Sequence, residues 1–212
     1  MVSECCGLCG CSQLLFFVED KRRTYLQCAE CKLVFVPSQQ HLSQHDEKAI
    51  YDQHENALED DGYRHFLSRA LEPVVARVGV GSCGLEFGCG PGPLLAKMLE
   101  ERGMQVELYD LYYYPNKTVF NKRYDFITCT EVIEHVAQPK AVFEQLFSIL
   151  KSGQPLVMMT KLVIDAERFS TWHYKNDLTH ISFFSRETFE FVARQYNATL
   201  EIIGADVIVL TQ

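Results

Sequence analysis

The 212-residue chain has no run of about 18 consecutive apolar residues, so no membrane-spanning helix is expected. Its opening, Met1-Val2-Ser3-Glu4-Cys5-Cys6, has neither the basic region nor the apolar stretch of a secretory signal. A soluble, cytoplasmic protein with no membrane partner is predicted. Positive charge is also short, with 20 Lys and Arg against 28 Asp and Glu, for a formal charge of -8. A surface that holds nucleic acid by neutralising phosphates needs the opposite balance, which argues against nucleic acid as a partner. A disulfide framework would be out of place in a reducing compartment, yet six of the nine cysteines crowd into the first 31 residues. That crowding points to a metal.

Cys6 and Cys9 form one C-x2-C pair and Cys28 and Cys31 a second, the spacing of two knuckles closing on one zinc ion. Four thiolates leave no open coordination position, so such a site is structural. Cys5 and Cys11 are alternative donors, although only Cys6 with Cys9 keeps the usual two-residue gap. Between the pairs, residues 14–18 and 24–26 read as strands around the polar turn Glu19-Asp20-Lys21-Arg22-Arg23, and residues 33–36 as a third. The outline is a zinc ribbon over residues 1–37, too small to fold without its metal.

Residues 37–61 are polar and acidic, with His41, His45 and His54 in no metal-like register, and read as a linker that becomes helical. From Asp61, apolar residues Tyr63, Phe66, Leu67, Ala70, Leu71, Val74, Val75 and Val78 recur at three- and four-residue steps, the pattern of an amphipathic helix laid on a core. Residues 38–80 are thus a connector and covering helix. The remainder, 81–212, is expected to form an α/β domain: a Rossmann-like doubly wound sheet with an antiparallel carboxyl-terminal hairpin, residues 199–203 and 207–210.

The stretch Cys83-Gly84-Leu85-Glu86-Phe87-Gly88-Cys89-Gly90-Pro91-Gly92-Pro93-Leu94-Leu95 reads as strand, glycine-rich turn and helix. Glycines admit positive φ and let backbone approach a ligand, and a helix start offers N–H groups to an anion. Residues 104–109 read as the next strand, ending in Asp110, where an acid can accept from ribose hydroxyls. On spacing alone, a dinucleotide or another adenosine cofactor would fit.

Glu86-Phe87-Gly88-Cys89-Gly90-Pro91-Gly92 resembles the first motif of class I S-adenosylmethionine-dependent methyltransferases. Tyr124-Asp125-Phe126-Ile127-Thr128-Cys129-Thr130-Glu131-Val132-Ile133-Glu134-His135-Val136 resembles the fourth strand and following turn of their ubiquinone-pathway-like branch. The resemblance implies S-adenosylmethionine as cofactor. Its methionine end would lie on Gly88, Gly90 and Gly92 and its ribose on Asp110, with Glu86, Leu111, Thr130 and Glu131 completing the set. Only about a dozen residues separate Asp110 from Tyr124, too few for the family's usual helix and third strand. A reduced strand at Thr118-Val119-Phe120 is expected, and no adenine-binding acid is assigned.

In the resembled branch a Trp-x-Tyr-x-x-Asp-x-Thr-His-x-x-Phe-Phe-Ser segment lies over the active site, and this chain has that order from Trp172 to Ser185. Trp172, Tyr174 and Asp177 are therefore the substrate candidates, and His180 and His135 the candidate bases for a hydroxyl or amine acceptor. The implied function is methyl transfer to a small-molecule or sugar-derivative acceptor. Glu131-x-x-Glu134-His135 with His173 or His180 also resembles the metal set of small-RNA terminal 2′-O-methyltransferases, which keeps metal-assisted RNA methylation as an alternative. A non-catalytic ribbon-bearing scaffold is the other alternative. Acceptor, methylated atom and oligomeric state stay open.

Overall fold

The computed structural model describes residues 4–52 and 61–212; residues 53–60, His54 among them, and the first three lie outside it. In the amino-terminal part, Leu14–Glu19 (β1) and Thr24–Cys28 (β2) pair antiparallel around the Asp20 turn, and Val34–Phe35 (β3) pairs with β2. The connector holds Gln44–Tyr51 (α1), whose start is capped by Ser43 accepting from Asp46 N. Asp61–Val75 (α2) is the covering helix.

The main domain follows as Cys83–Phe87 (β4), Leu94–Glu100 (α3), Gln105–Tyr109 (β5), Phe126–Thr130 (β6), Pro139–Ile149 (α4), Pro155–Met159 (β7), Ala166–Ser170 (α5), Ser182–Phe183 (β8), Arg186–Gln195 (α6), Thr199–Ile203 (β9) and Val207–Thr211 (β10). The large sheet runs β5-β4-β6-β7-β10-β9. Its first four strands are parallel, and β10 and β9 close it antiparallel, as the expected hairpin. Strand β7 shows why the sheet is covered on both faces. Leu156 and Met158 join Phe143, Leu146, Phe189 and Val192 of α4 and α6, whereas Val157 and Met159 join Leu67, Leu71, Leu95 and Met98 of α2 and α3. A two-residue period buried on both sides is the mark of an α/β layer sandwich.

One expectation is corrected, and the small sheet gains a strand from outside its module. The third strand does not form: residues Lys117–Asn121 make a short 3-10 helix instead, capped by Asn116. The short segment still delivers Val119 and Phe120 to the core and to the ring pair Phe87–Tyr109, so the burial is kept without the strand. The small sheet, in turn, does not close within residues 1–37. Its order is β1-β2-β3-β8, so β8 from the far side of the chain supplies the fourth strand.

Candidate active site

The glycine turn sits at the carboxyl end of β4. Gly88 (φ 77°) and Gly90 (φ 63°) occupy the left-handed region, and a Cβ on Gly88 would overlap the Val132 side chain. The turn is tied to the end of β5: Gly88 N donates to Tyr109 O at 2.7 Å and Gly90 N to Asp110 Oδ2 at 3.0 Å. Asp110 Oδ1 accepts from Tyr112 N at 2.8 Å and Tyr113 N at 3.1 Å. With two lone pairs per carboxylate oxygen, Oδ2 keeps one free for an incoming hydroxyl. Gly92 closes the turn, its carbonyl accepting from Leu94 N at 2.8 Å. Leu111, 56% exposed, lies just past β5, Thr130 ends the adjoining β6 and Glu131 follows it. Glu86 points elsewhere: its buried carboxylate accepts from Ala96 N of α3 at 2.8 Å, and burial pushes its pKa up to about 8.

Across the cleft the chemistry is made of side chains. Glu134 is fully buried, and Tyr174 OH lies between its Oε1, in a short hydrogen bond, and Glu131 Oε2 at 3.2 Å. Burial raises the pKa of both carboxylates, with mutual repulsion adding to it at Glu134. Glu131 stands at φ 53°, a left-handed conformation uncommon outside glycine, at the turn that aims this segment into the cleft. His180 Nδ1 lies 2.7 Å from Tyr174 O. A carbonyl can only accept, so Nδ1 carries a proton, while Nε2 lies 3.9 Å from Asp177 Oδ2. The His135 ring meets that of His180 at 4.6 Å, and one donor atom each of Glu134, His135 and His180 lies within 4.8 Å of the others. His173 is elsewhere, exposed beside Lys161 Nζ at 3.3 Å.

Trp172 packs on Phe169 and Phe183, while Asp177 Oδ1 accepts from Thr179 N and Oγ1 at 2.9 and 2.6 Å, which outweighs burial and keeps its pKa low. A cavity of about 250 Å³ opens beside His135, lined by His41, Leu42, Gln44, Glu47, Thr179 and Ile181 among others. The connector residues among these escaped the sequence reading. The signal available was the Ser43 cap, which places Gln44 and Glu47 on a helix; Glu47 is then held by Tyr112 OH at 2.8 Å.

At the amino-terminal end, Cys6, Cys9, Cys28 and Cys31 bring their sulfurs within 4.8 Å of one another, with Cys6–Cys31 and Cys9–Cys28 both at 3.4 Å. Four sulfurs bound tetrahedrally at about 2.3 Å stand about 3.8 Å apart, so the donor set fits one zinc. Cys5 is exposed, and Cys11 Sγ accepts from Gln13 N at 3.3 Å outside the cluster.

A parallel sheet with a glycine turn, a strand-ending acid and a polar wall meeting at its carboxyl edge defines a nucleotide-cofactor enzyme of the doubly wound class. The family described as "Methyltransferase domain" matches residues 63–201, and the chain belongs to that family. Among curated proteins, the ubiquinone biosynthesis O-methyltransferase of Erwinia tasmaniensis is 27% identical over 90 residues, 42% of this chain and 37% of that enzyme. The same enzyme of Escherichia coli O127:H6 is 28% identical over 90 residues, 42% and 38% of the two chains. The aligned part is thus under two-fifths of these relatives' length. Similar solved folds include the 1,6-didemethyltoxoflavin-N1-methyltransferase of Burkholderia thailandensis (TM-score 0.52, 13% identity, 91% of this chain and 96% of that one). An O-methyltransferase family 2 protein from Planctomyces limnophilus is another (TM-score 0.53, 13% identity, 81% and 63%). Among the described residues, no helix is long and apolar enough to cross a membrane.

Proposed function

We propose that the protein transfers a methyl group from S-adenosylmethionine to a small-molecule hydroxyl or amine. The observation that carries this is the meeting of Gly88, Gly90 and Asp110 with Thr130 and Glu131 at the carboxyl ends of three adjacent parallel strands, β4, β5 and β6. The bound cofactor would supply an electrophilic methyl on its sulfonium. The chain contributes a side-chain-free turn for the methionine part, one oxygen lone pair of Asp110 for a ribose hydroxyl, and Leu111 as an apolar surface. The cavity beside His135 receives the acceptor, and His180, its ring oriented by the Tyr174 carbonyl and by Asp177, is the base for the acceptor's proton. Trp172 and Tyr174 shape the loop that frames this cavity. Four cysteines hold a structural zinc. None of the nine cysteines is in a disulfide, which suits a cytoplasmic setting.

Titration calorimetry with S-adenosylhomocysteine and, separately, NADH tests the cofactor reading, with metal content measured on the same sample. Binding of the first alone with one zinc per chain is expected; binding of NADH, or of neither, overturns it. A second reading, in which a divalent ion polarises the acceptor, is favoured by the Glu134, His135 and His180 donors lying within 4.8 Å of one another. Turnover that survives removal of divalent ions by a chelator weaker than the ribbon's thiolates would dismiss it. Nothing in that donor set selects RNA over a smaller acceptor.

A further inference from the structure

Chief among the ribbon's contacts with the acceptor loop is one buried side chain. Arg23, in the β1–β2 turn, is 4% exposed. Its Nη1 donates to the carbonyls of Leu178 at 3.1 Å and His180 at 2.8 Å; its Nη2 donates to those of Asp177 at 3.2 Å and Lys175. Four carbonyls of one short irregular segment thus converge on one guanidinium. Buried carbonyls without a ladder need such a partner, and a planar fork of five N–H donors can serve several at once. A second buried cation beside it has its own counter-ion. Lys175 Nζ, buried, pairs with Asp20 Oδ2 at 2.5 Å, and Asp20 Oδ1 accepts from Arg22 N and Arg23 N at 2.8 and 3.0 Å.

The other wall of the acceptor site is pinned by the same module. Gly7, in the first knuckle, lies so close to Ala137 that a Cβ would overlap its carbonyl oxygen, and Lys140 N donates to Gly7 O at 3.2 Å. The two walls are joined to each other by Ile181 N donating to Glu134 O at 2.8 Å and Ser182 Oγ to Val136 O at 2.7 Å. The ribbon's buried side chains share their clusters with the main domain: Cys28, Cys31 and Phe35 with Phe143 and Phe184, and Tyr25 and Val34 with Phe169, Tyr174 and Phe183.

We propose that Arg23 is a positioning residue that makes the cysteine ribbon and the 174–181 loop one cooperative unit, so that the ribbon sets the geometry of the acceptor half of the cleft. The functional weight of this rests on the reading of that loop as acceptor wall. A ribbon that merely adds bulk stability would loosen loop and sheet alike.

Trp172 is the only tryptophan and sits at the head of the loop, its ring 5.0 Å from Tyr174 and 5.8 Å from Phe169, so its emission reports loop order. The full chain and its Arg23→Met and Arg23→Lys variants are compared by acrylamide quenching of Trp172, by amide hydrogen exchange and by S-adenosylhomocysteine titration. In Arg23→Met, exchange at Thr179, His180 and Ile181 is expected to rise at least ~10-fold, while β4, β6 and β7 amides and S-adenosylhomocysteine affinity stay within about twofold. Quenching should rise with it, and Arg23→Lys, with its charge but no fork, should fall between. Loop exchange within about twofold of the parent in a folded Arg23→Met protein overturns the proposal. Should that variant not fold, exchange of the unaltered chain in sub-denaturing guanidinium decides: ribbon amides of β2 and loop amides must open at one free energy, and separate openings overturn the proposal. Failure of the unaltered chain to bind S-adenosylhomocysteine counts against methyl transfer and leaves these loop measurements unaffected.

Discussion

The two halves of the cleft are built from different materials. On the cofactor side the work is done by main chain: Gly88 and Gly90 at positive φ, with their N–H groups docked on the end of β5. On the proposed acceptor side it is done by ionisable side chains removed from water, with Tyr174 bonded to Glu134 and reaching across to Glu131 of the cofactor set, and His180 leaning on a carbonyl. A backbone site tolerates no added atom. A side-chain site tolerates reshaping but depends on every partner being present.

The sharpest break in this contrast is Gly88→Ala. The new Cβ must stand against Val132 in a left-handed conformation, so a cost of about 3 kcal/mol and a loss on the order of 100-fold in S-adenosylhomocysteine affinity are expected by calorimetry. Affinity equal to the parent would remove the glycine turn from the site. On the acceptor side, Tyr174→Phe deletes the hydroxyl shared by Glu131 and Glu134. Urea titration should show about 1–3 kcal/mol lost from stability with cofactor affinity little changed. A large fall in affinity would mean that the two halves are not separable.

Glu86 sharpens the contrast through pH. Its folded pKa, about 8, stands above the usual carboxylate value, so the native state holds the extra proton as pH rises from about 4.5 to 8 and stability falls across that window. Glu86→Gln should flatten that slope in urea midpoints measured from pH 5 to 9, an effect of at most a few kcal/mol. An unchanged slope would assign it to other groups. The smallest effect belongs to Leu111→Ala. Because Leu111 is exposed in the protein alone, stability should hold while S-adenosylhomocysteine binds a few-fold more weakly, about 1 kcal/mol. No change in affinity would take Leu111 off the cofactor surface.

Much of the cofactor half could be read from sequence because its determinants are local: glycines two residues apart, an acid at a strand end, and apolar runs whose lengths match β4, β6 and β7. The two C-x2-C pairs were legible for the same reason. The acceptor half was legible only as a set of residue types. That Glu134 would be wholly buried, and that Tyr174, 40 residues away, would donate to its Oε1, depends on how the chain returns across the sheet. Arg23 was invisible, since it sat last in a charged turn and its partners are backbone carbonyls, which carry no residue-type signal. The third strand failed for a countable reason: the segment after Asp110 has room for a 3-10 turn that fills the core, but not for a strand and its return.

The missing third strand leaves β5 as the margin of the large sheet. An unpaired edge is a template on which a second chain can add, and native proteins disarm it with charge and cover. Here Glu107, central in β5, is engaged by Lys122 in a close ion pair and by Tyr124 OH at 2.9 Å, and the 3-10 segment from Lys117 packs beside the strand. The ten or so residues that replaced a strand thus act as a guard rail. Removing the charge at Glu107 should be felt first in solubility at high concentration, before it is felt in the cleft.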